Sequence, residues 1–335
     1  MWHRSARRQS LNIAFTGPGR VELLTEPVKR PKRGSVIVKT RCSLISTGTE
    51  TTCLERRFAA SSHWDRWVKY PFRPGYSSIG VVDEIGKGVH TVQPGDRVAS
   101  HGPHAQYVDV AESDTLLVPD GLSDEEAAWF ALACIVQIGF RSTRIEPLDT
   151  VAVLGTGVLG QLAVQYARNS GAAQVIAIGR SLPRLEAAAA HGATAVVASE
   201  ASEAVAKLRE LTRNGATVVF DITGNSGVLQ EALRMAAPEG PVVLIGDTGF
   251  PEKQRLTADL LLKGLRLVGA HFDHASPDEH AELALEFFRS VQAGELRVGD
   301  LITDRVDPRD AVDTYKRLSM NAVSTIGVVF DWTRL

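Results

Sequence analysis

Three glycines at the spacing G-x-G-x-x-G, Gly155, Gly157 and Gly160, stand directly after an apolar run and directly before a helical one. In that setting the first glycine permits a tight turn. The second lets backbone approach a pyrophosphate, and the third allows a helix to pack close to a sheet. The helix start would then present free N–H groups and its positive dipole end to the phosphates. The stretch Gly155-Thr156-Gly157-Val158-Leu159-Gly160 is therefore read as a dinucleotide site, the bland alternative being a turn kept only for packing. About twenty residues on, where a carboxylate would bind a ribose 2′-hydroxyl, the chain has Gly179-Arg180-Ser181, with Arg184 one turn later. Glycine with arginines attracts a 2′-phosphate that a carboxylate would repel, so the pattern favours NADP(H). Otherwise Arg180 and Arg184 are ordinary solvated residues at a helix start.

Histidine and cysteine offer other chemistries. His101 and His104 form an H-x-x-H pair that could bind metal with Cys134, against the reading that both rings are solvated or hydrogen-bonded to backbone. Cys134 lies in the apolar run Trp129–Ile138, which suits a small buried hydrophobe better than a nucleophile. The three cysteines, Cys42, Cys53 and Cys134, are odd in number and widely spaced without a C-x-x-C pair, which fits a reducing cytoplasm.

Such groups need a frame. At 335 residues the chain has roughly twice the length of a typical domain, so two domains are expected. From residue 12 to about residue 120 short β-branched runs are broken by turn residues: Ser35–Thr40, Ile79–Ile85, Gly95–Ala99, Gln106–Val110 and Thr115–Val118. This spacing predicts a small barrel or twisted antiparallel sheet, with a partly helical insertion over Thr51–Tyr70. From residue 123 onwards strands and helices alternate. Thr150–Leu154, Gln174–Ile178, Ala195–Ala198, Thr217–Asp221, Pro241–Ile245 and Arg266–Gly269 read as strands. Val158–Asn169, a segment from Ser181 to Gly192, Ala201–Thr212 and Ser226–Met235 read as helices. The βαβ rhythm predicts a doubly wound parallel sheet with helices on both faces. Two amphipathic helices follow, near Glu279–Ala293 and Pro308–Ser319, the second capped by Asp307. A last strand, Ser324–Phe330, is free to return to the first domain.

A series of landmarks then carries a family likeness. Pro74-Gly75-Tyr76 leads into Gly80-Val81-Val82-Asp83-Glu84-Ile85-Gly86, and Pro94-Gly95-Asp96-Arg97-Val98, the glycine turn and Lys263-Gly264-Leu265-Arg266-Leu267-Val268-Gly269 follow in order. With a small β domain first and a Rossmann domain second, the chain resembles the medium-chain dehydrogenase/reductase superfamily over nearly its whole length. The resemblance implies an α/β architecture with a GroES-like β-barrel catalytic domain over 1–135 and 273–335, and a Rossmann dinucleotide-binding domain over 136–272. It places Gly246, Asp247, Gly269, Ala270 and His271 beside the cofactor as well. Most alcohol-oxidising members hold catalytic zinc through a Cys on the early barrel strand, the His-Glu of a P-G-H-E turn and a Cys before the Rossmann domain. Here the aligned positions read Ser46, Tyr76 with Ser77, and Cys134. A hydroxyl and a phenol are poor zinc donors, and the cysteines for a structural-zinc lobe are missing, so a zinc-free member is expected. The run Ser43-Leu44-Ile45-Ser46-Thr47-Gly48-Thr49-Glu50, with the Pro74–Ser77 turn, looks like the branch that includes bacteriochlorophyllide a dehydrogenases.

Without metal, charge on a substrate oxygen must be met by hydrogen-bond donors. The family places two loops in the cleft, giving Tyr76, Ser46, Thr49 and Glu50 as catalytic candidates. Tyr76 is the first choice as donor and general acid, against a role in packing only. The expected activity is NADP(H)-dependent interconversion of a carbonyl and a secondary alcohol on a small molecule. A zinc-free quinone or enone reductase and a non-catalytic nucleotide-binding protein are the alternatives. The 37 basic and 39 acidic side chains give a formal charge of −2, which supplies no net pull on nucleic acid or anionic lipid. The basic start, Arg4, Arg7 and Arg8, is followed by no apolar stretch, so neither a signal peptide nor a membrane span is expected. A cytoplasmic homodimer completes the expectation, its edge near Arg266–Ala270 continuing the Rossmann sheet.

Overall fold

The computed structural model describes residues 8–320 and 323–335. Arg4 and Arg7 lie outside the described residues, and Arg8 pairs with Asp83 and Glu84. The chain opens with an antiparallel hairpin, β1 (Gln9–Gly17) and β2 (Arg20–Pro27). After it come β3 (Ser35–Leu44), α1 (Thr47–Glu55) and α2 (His63–Trp67). Four short strands then follow: β4 (Ser78–Ile85), β5 (Arg97–Ser100), β6 (Tyr107–Ala111) and β7 (Thr115–Leu117). Two helices, α3 (Asp124–Ala127) and α4 (Phe130–Arg141), lead out of this region. Helix α4 runs across the boundary expected at residue 135.

The alternating half comprises β8 (Thr150–Leu154), α5 (Val158–Asn169), β9 (Gln174–Gly179), α6 (Leu182–Ala190), β10 (Ala195–Ala198) and α7 (Ala201–Thr212). It continues with β11 (Val218–Asp221), α8 (Leu229–Met235), β12 (Pro241–Leu244), α9 (Asp259–Leu262) and β13 (Arg266–Gly269). All six strands pair in parallel in the order β10-β9-β8-β11-β12-β13. Alternate strand residues enter opposite cores, as the two-residue strand period requires. Val151, Val153 and Phe220 face α4 and α5, while Ala152, Leu154 and Val219 face the α7 and α8 side. Because helices cover both faces, the strands read as continuous apolar runs. The winding reverses between β8 and β11, the place where open α/β sheets bind ligands outside their strand ends.

The chain ends with α10 (Pro277–Gln292), β14 (Ile302–Val306), α11 (Ala311–Ser319) and β15 (Gly327–Asp331). A capping box between Ser276 and Glu279 starts α10 two residues ahead of the expected position. Asp307 caps a 3-10 turn, Pro308–Asp310, and α11 proper begins only after it. The second sheet runs β14-β15-β3-β4-β5-β7, with β6 also paired to β3, so the last strand does return to the N-terminal half. Two features were not anticipated, the β1–β2 hairpin and β14. The sequence of β14, Ile-Thr-Asp-Arg-Val, carries too little apolar pattern to announce a strand, and it is held by parallel pairing with β15.

Candidate active site

The glycine turn sits after β8, at the point where the winding reverses. Gly155 has φ +96°, a left-handed conformation that a side chain would strain, and a Cβ on Gly160 would stand 2.0 Å from the Gly155 carbonyl oxygen. At Gly157 a Cβ would meet nothing within 4 Å. That glycine therefore leaves open space in front of the α5 N-terminus, where no side chain caps the first N–H groups. Thr156 is buried, and Gln161 Nε2 donates to the Thr156 carbonyl (3.1 Å) and to the Arg184 carbonyl (2.7 Å), tying the turn to α6. A Cβ on Gly179 would lie 2.8 Å from Thr156 Oγ1. Val158 is buried and Leu159 partly so. This is a cradle that fits a dinucleotide: open backbone at the pyrophosphate position with a helix dipole behind it.

The two arginines differ. Arg180 is largely exposed, its Nη1 3.4 Å from Glu200 Oε1. Arg184 is half-buried, and its Nε donates to the Thr325 carbonyl at 2.9 Å. Burial pushes its pKa down, with the Arg180 charge adding to the shift. Ser181 caps α6 and donates to the Val323 carbonyl, so the segment before β15 lies against this end of the cradle. Past β12, Gly246 packs against Gly224, and Asp247 Oδ2 lies 2.6 Å from His63 Nε2 on α2. The Ala59 N–H donates to the Gly249 carbonyl at 2.8 Å. Past β13, Ala270 is buried and His271 is exposed, accepting from the Asp273 N–H.

A cleft of about 340 Å³ lies in the other half, lined by Thr49, Trp67, Phe72, Tyr76 and His101 among others. Tyr76 Oη donates to Ser46 Oγ at 2.6 Å, and Thr49 supplies a second side-chain hydrogen bond. Burial pushes the Tyr76 phenol up to about 12, so at neutral pH it stays protonated. The cleft thus gathers Tyr76, Thr49 and Glu50, with Ser46 buried directly behind Tyr76.

Glu50 lines the cleft but its oxygens are taken. Oε1 accepts from the Ser46 N–H (2.8 Å), and Oε2 accepts from His104 Nε2 (3.1 Å) and from Tyr315 Oη. Burial, and then the Glu50 charge, pushes the Tyr315 phenol well up. Ser43 Oγ accepts from Trp332 Nε1 at 2.8 Å, so its one proton is left for His104 Nδ1, also at 2.8 Å. His104 Nε2–H then donates to Glu50, and the buried chain Trp332–Ser43–His104–Glu50–Tyr315 closes without an orphan. The His104 ring also fills the space behind Gly75, where a Cβ would stand 2.8 Å from it. One ring therefore supports both cleft loops: the turn that carries Tyr76, and through Glu50 the start of α1 with Ser46. Sequence reasoning overlooked this role of His104 and that of Ser43, and Tyr315 and Trp332 altogether. Tyr315 was visible only as an apolar position on an amphipathic helix, with nothing to link it to Glu50.

Comparison with known families agrees with this geometry. The alcohol dehydrogenase GroES-like domain matches residues 57–120, and the zinc-binding dehydrogenase family matches residues 158–290. The two matches together support a place in the medium-chain dehydrogenase/reductase superfamily. It is 29% identical to (R,R)-butanediol dehydrogenase of Bacillus subtilis over 202 residues, 52% of this chain and 58% of that protein. Two solved structures share the fold. One is a zinc-binding dehydrogenase-type protein of Sinorhizobium meliloti 1021 bound to NADP (23% identity, TM-score 0.82, 97% of this chain and 100% of that one). The other is a short chain alcohol dehydrogenase of Escherichia coli CFT073 complexed with NADH (20%, 0.81, 96% and 99%).

The zinc named by that family description does not fit these residues. Positions 46 and 76 carry two hydroxyls bonded to each other, not thiolate and imidazole. Cys134 sits in the core, its thiol pushed up to about 12 by burial and directed at the His280 carbonyl (3.7 Å). The H-x-x-H pair diverges, His104 turning into the buried chain and His101 into the cleft. Among the described residues no three His, Cys, Asp or Glu side chains converge as a metal site, and no helix is long and apolar enough to cross a membrane.

Proposed function

We propose that this protein is an NADP(H)-dependent oxidoreductase that interconverts a carbonyl and a secondary alcohol on a small molecule without catalytic zinc. The observation that carries the reading is the Tyr76–Ser46 hydroxyl pair, with Thr49, in a cleft whose α2 wall is tied to the loops after β12 by Ala59–Gly249 and His63–Asp247. The cofactor, bound with its pyrophosphate at Gly157 and the α5 N-terminus, supplies the hydride acceptor or donor. With substrate bound, Tyr76, held protonated, turns its one O–H from Ser46 to the substrate oxygen, where charge develops. Ser46 then donates to the phenol oxygen and fixes its direction, and Glu50 and His104 hold both loops in place. Arg180 and Gly179 favour a 2′-phosphate. Residues 1–135 with 273–335 form the catalytic unit in this reading, and 136–272 the cofactor unit.

Reduction of a quinone or enone C=C bond is the second reading, favoured by the apolar side of the cleft, Trp67, Phe72 and Pro103. A panel separates them: NADPH consumption with ketones, sugars, quinones and enones, and NADP+ reduction with secondary alcohols and polyols. Turnover of quinones or enones alone favours the second reading, and cofactor binding without turnover on any probe favours a non-catalytic protein. Stoichiometric zinc by elemental analysis, with activity lost to a chelator, would overturn the zinc-free part. We place the protein in the cytoplasm, where its three free cysteines would stay reduced. A homodimer through the β13 edge is supported by the exposed Leu261, Leu262 and Leu267 beside it. A monomeric mass in light scattering at micromolar concentration refutes that assembly.

A further inference from the structure

We propose that His101 is the group that takes up and returns the substrate's hydroxyl proton, through Nε2, in the reaction proposed above, on which this inference rests. His101 lines the same cleft as Tyr76 and Thr49. Its Nδ1 lies 3.1 Å from the Tyr76 carbonyl oxygen, which can only accept, so Nδ1 carries the proton of that bond. The lone pair therefore resides on Nε2. That nitrogen has no hydrogen-bond partner among the described residues and is not one of the sealed polar atoms, so it is open to solvent, and the cleft is the space that His101 lines. The ring plane is fixed by Phe130 (centroids 5.0 Å apart) and Phe272 (5.3 Å), and Phe272 in turn stacks on His280 at 3.7 Å. Phe272 follows directly on Gly269-Ala270-His271, so His101 stands where the cleft meets the strand ends that face the cofactor.

The other candidates are spoken for. Tyr76 is a hydrogen-bond donor and no base, its phenol pushed up to about 12 by burial. The Glu50 oxygens have three donors, and Arg73 is tied to Glu26 (2.6 Å). Burial lowers the His101 pKa below the ordinary 6.5, and the neighbouring His280 on α10 lowers it further. The Tyr76 carbonyl and Asp114 act in the opposite direction, and α4 contributes only the uncharged Phe130. A neutral imidazole with an open lone pair is thus available at neutral pH.

In alcohol oxidation the O–H proton passes to Nε2, and the O–H electron pair becomes the second bond of C=O. The C–H hydrogen leaves with its pair to the oxidised nicotinamide, which is reduced as the carbon is oxidised. The imidazolium then releases its proton to solvent in the cleft. Carbonyl reduction reverses each transfer.

The test is His101→Asn, which keeps a donor for the Tyr76 carbonyl and deletes the base. Probes are butan-2-ol, butane-2,3-diol and sorbitol with NADP+. With any probe that the wild-type protein oxidises, kcat in the variant should fall about 10²–10⁴-fold, while NADP+ affinity stays within about twofold. The wild-type rise of kcat/KM with pH, through a value below 6.5, should vanish in the variant. Added imidazole should restore part of the rate. Near-normal kcat, or an unchanged pH limb, overturns the proposal alone. NADP+ binding without wild-type turnover of any probe overturns the functional reading, and this proposal with it. Independently of any variant, ¹⁵N NMR of the wild-type protein at pH 7 should show His101 protonated at Nδ1 only, and a proton on Nε2 overturns the assignment.

Discussion

At the phosphate turn, six consecutive residues do the positioning, and they do it with backbone. Gly155 supplies a left-handed φ, Gly160 admits a carbonyl within 2.0 Å of its would-be Cβ, and Gly157 leaves space for a ligand. At the cleft floor the positioning is done by side chains from distant segments. Ser43 and Trp332 are 289 positions apart, and Glu50 and Tyr315 are 265 apart, yet each pair is hydrogen-bonded in the core. The two therefore fail in different ways. A local turn fails by steric insult at one residue, whereas a buried network fails when any member leaves its partners without an acceptor.

The largest effect should come from breaking the floor. Glu50→Ala orphans the Ser46 N–H, His104 Nε2–H and Tyr315 Oη together, and should cost about 3–5 kcal/mol of stability in urea denaturation. Glu50→Gln keeps an acceptor and should cost less. A loss under about 1 kcal/mol for alanine would mean that the floor is not cooperative. Next comes the donor that the floor supports. Tyr76→Phe keeps the ring and should lower kcat about 10²–10³-fold with cofactor affinity unchanged. Near-normal turnover would reduce Tyr76 to packing.

The turn should show a separation that the floor cannot. Gly160→Ala forces a methyl onto the Gly155 carbonyl and should cost about 1–3 kcal/mol of stability. Gly157→Ala should leave stability within about 0.5 kcal/mol but weaken NADP(H) binding measurably by titration. Equal behaviour of the two variants would break the contrast. The smallest effect concerns the ribose. Arg180→Ala should lose about tenfold of the preference for NADP(H) over NAD(H), and unchanged discrimination would move the 2′-phosphate contact elsewhere.

Much of the βαβ half was legible because its signals are local. The bounds of β8, α5, β10, α7 and β13 follow from apolar runs, helical spacing and the glycine or capping residue at each end. Strand β14 was not legible, because a short, polar strand is defined by what it pairs with. The hairpin, with Ile13 and Phe15 buried in β1 and Gly17-Pro18-Gly19 at its turn, carried a local signal that sequence reasoning passed over. Among the site residues, Ser46 and Tyr76 came through family likeness, and neither loop indicates that the two hydroxyls touch.

His101 and His104 show the division most clearly. Along the chain they are one H-x-x-H motif beside a Gly-Pro turn, equally suited to metal, solvent or a backbone hydrogen bond. Sheet register sends them apart. Ser43 pairs with Phe330 on β15 and with Ser78 on β4, which brings Trp332 and the Tyr76 turn to the same end of β3. His104 is then buried against Ser43 and Glu50, and His101 is left on the cleft wall. Backbone dihedral limits, helix caps and the two- and 3.6-residue periods act between near neighbours, so the amino-acid order determines the phosphate turn and the strands and helices around it. Which buried donor meets which acceptor depends on strand order and register across nearly the whole chain, and those are decided only when the two halves of the second sheet come together.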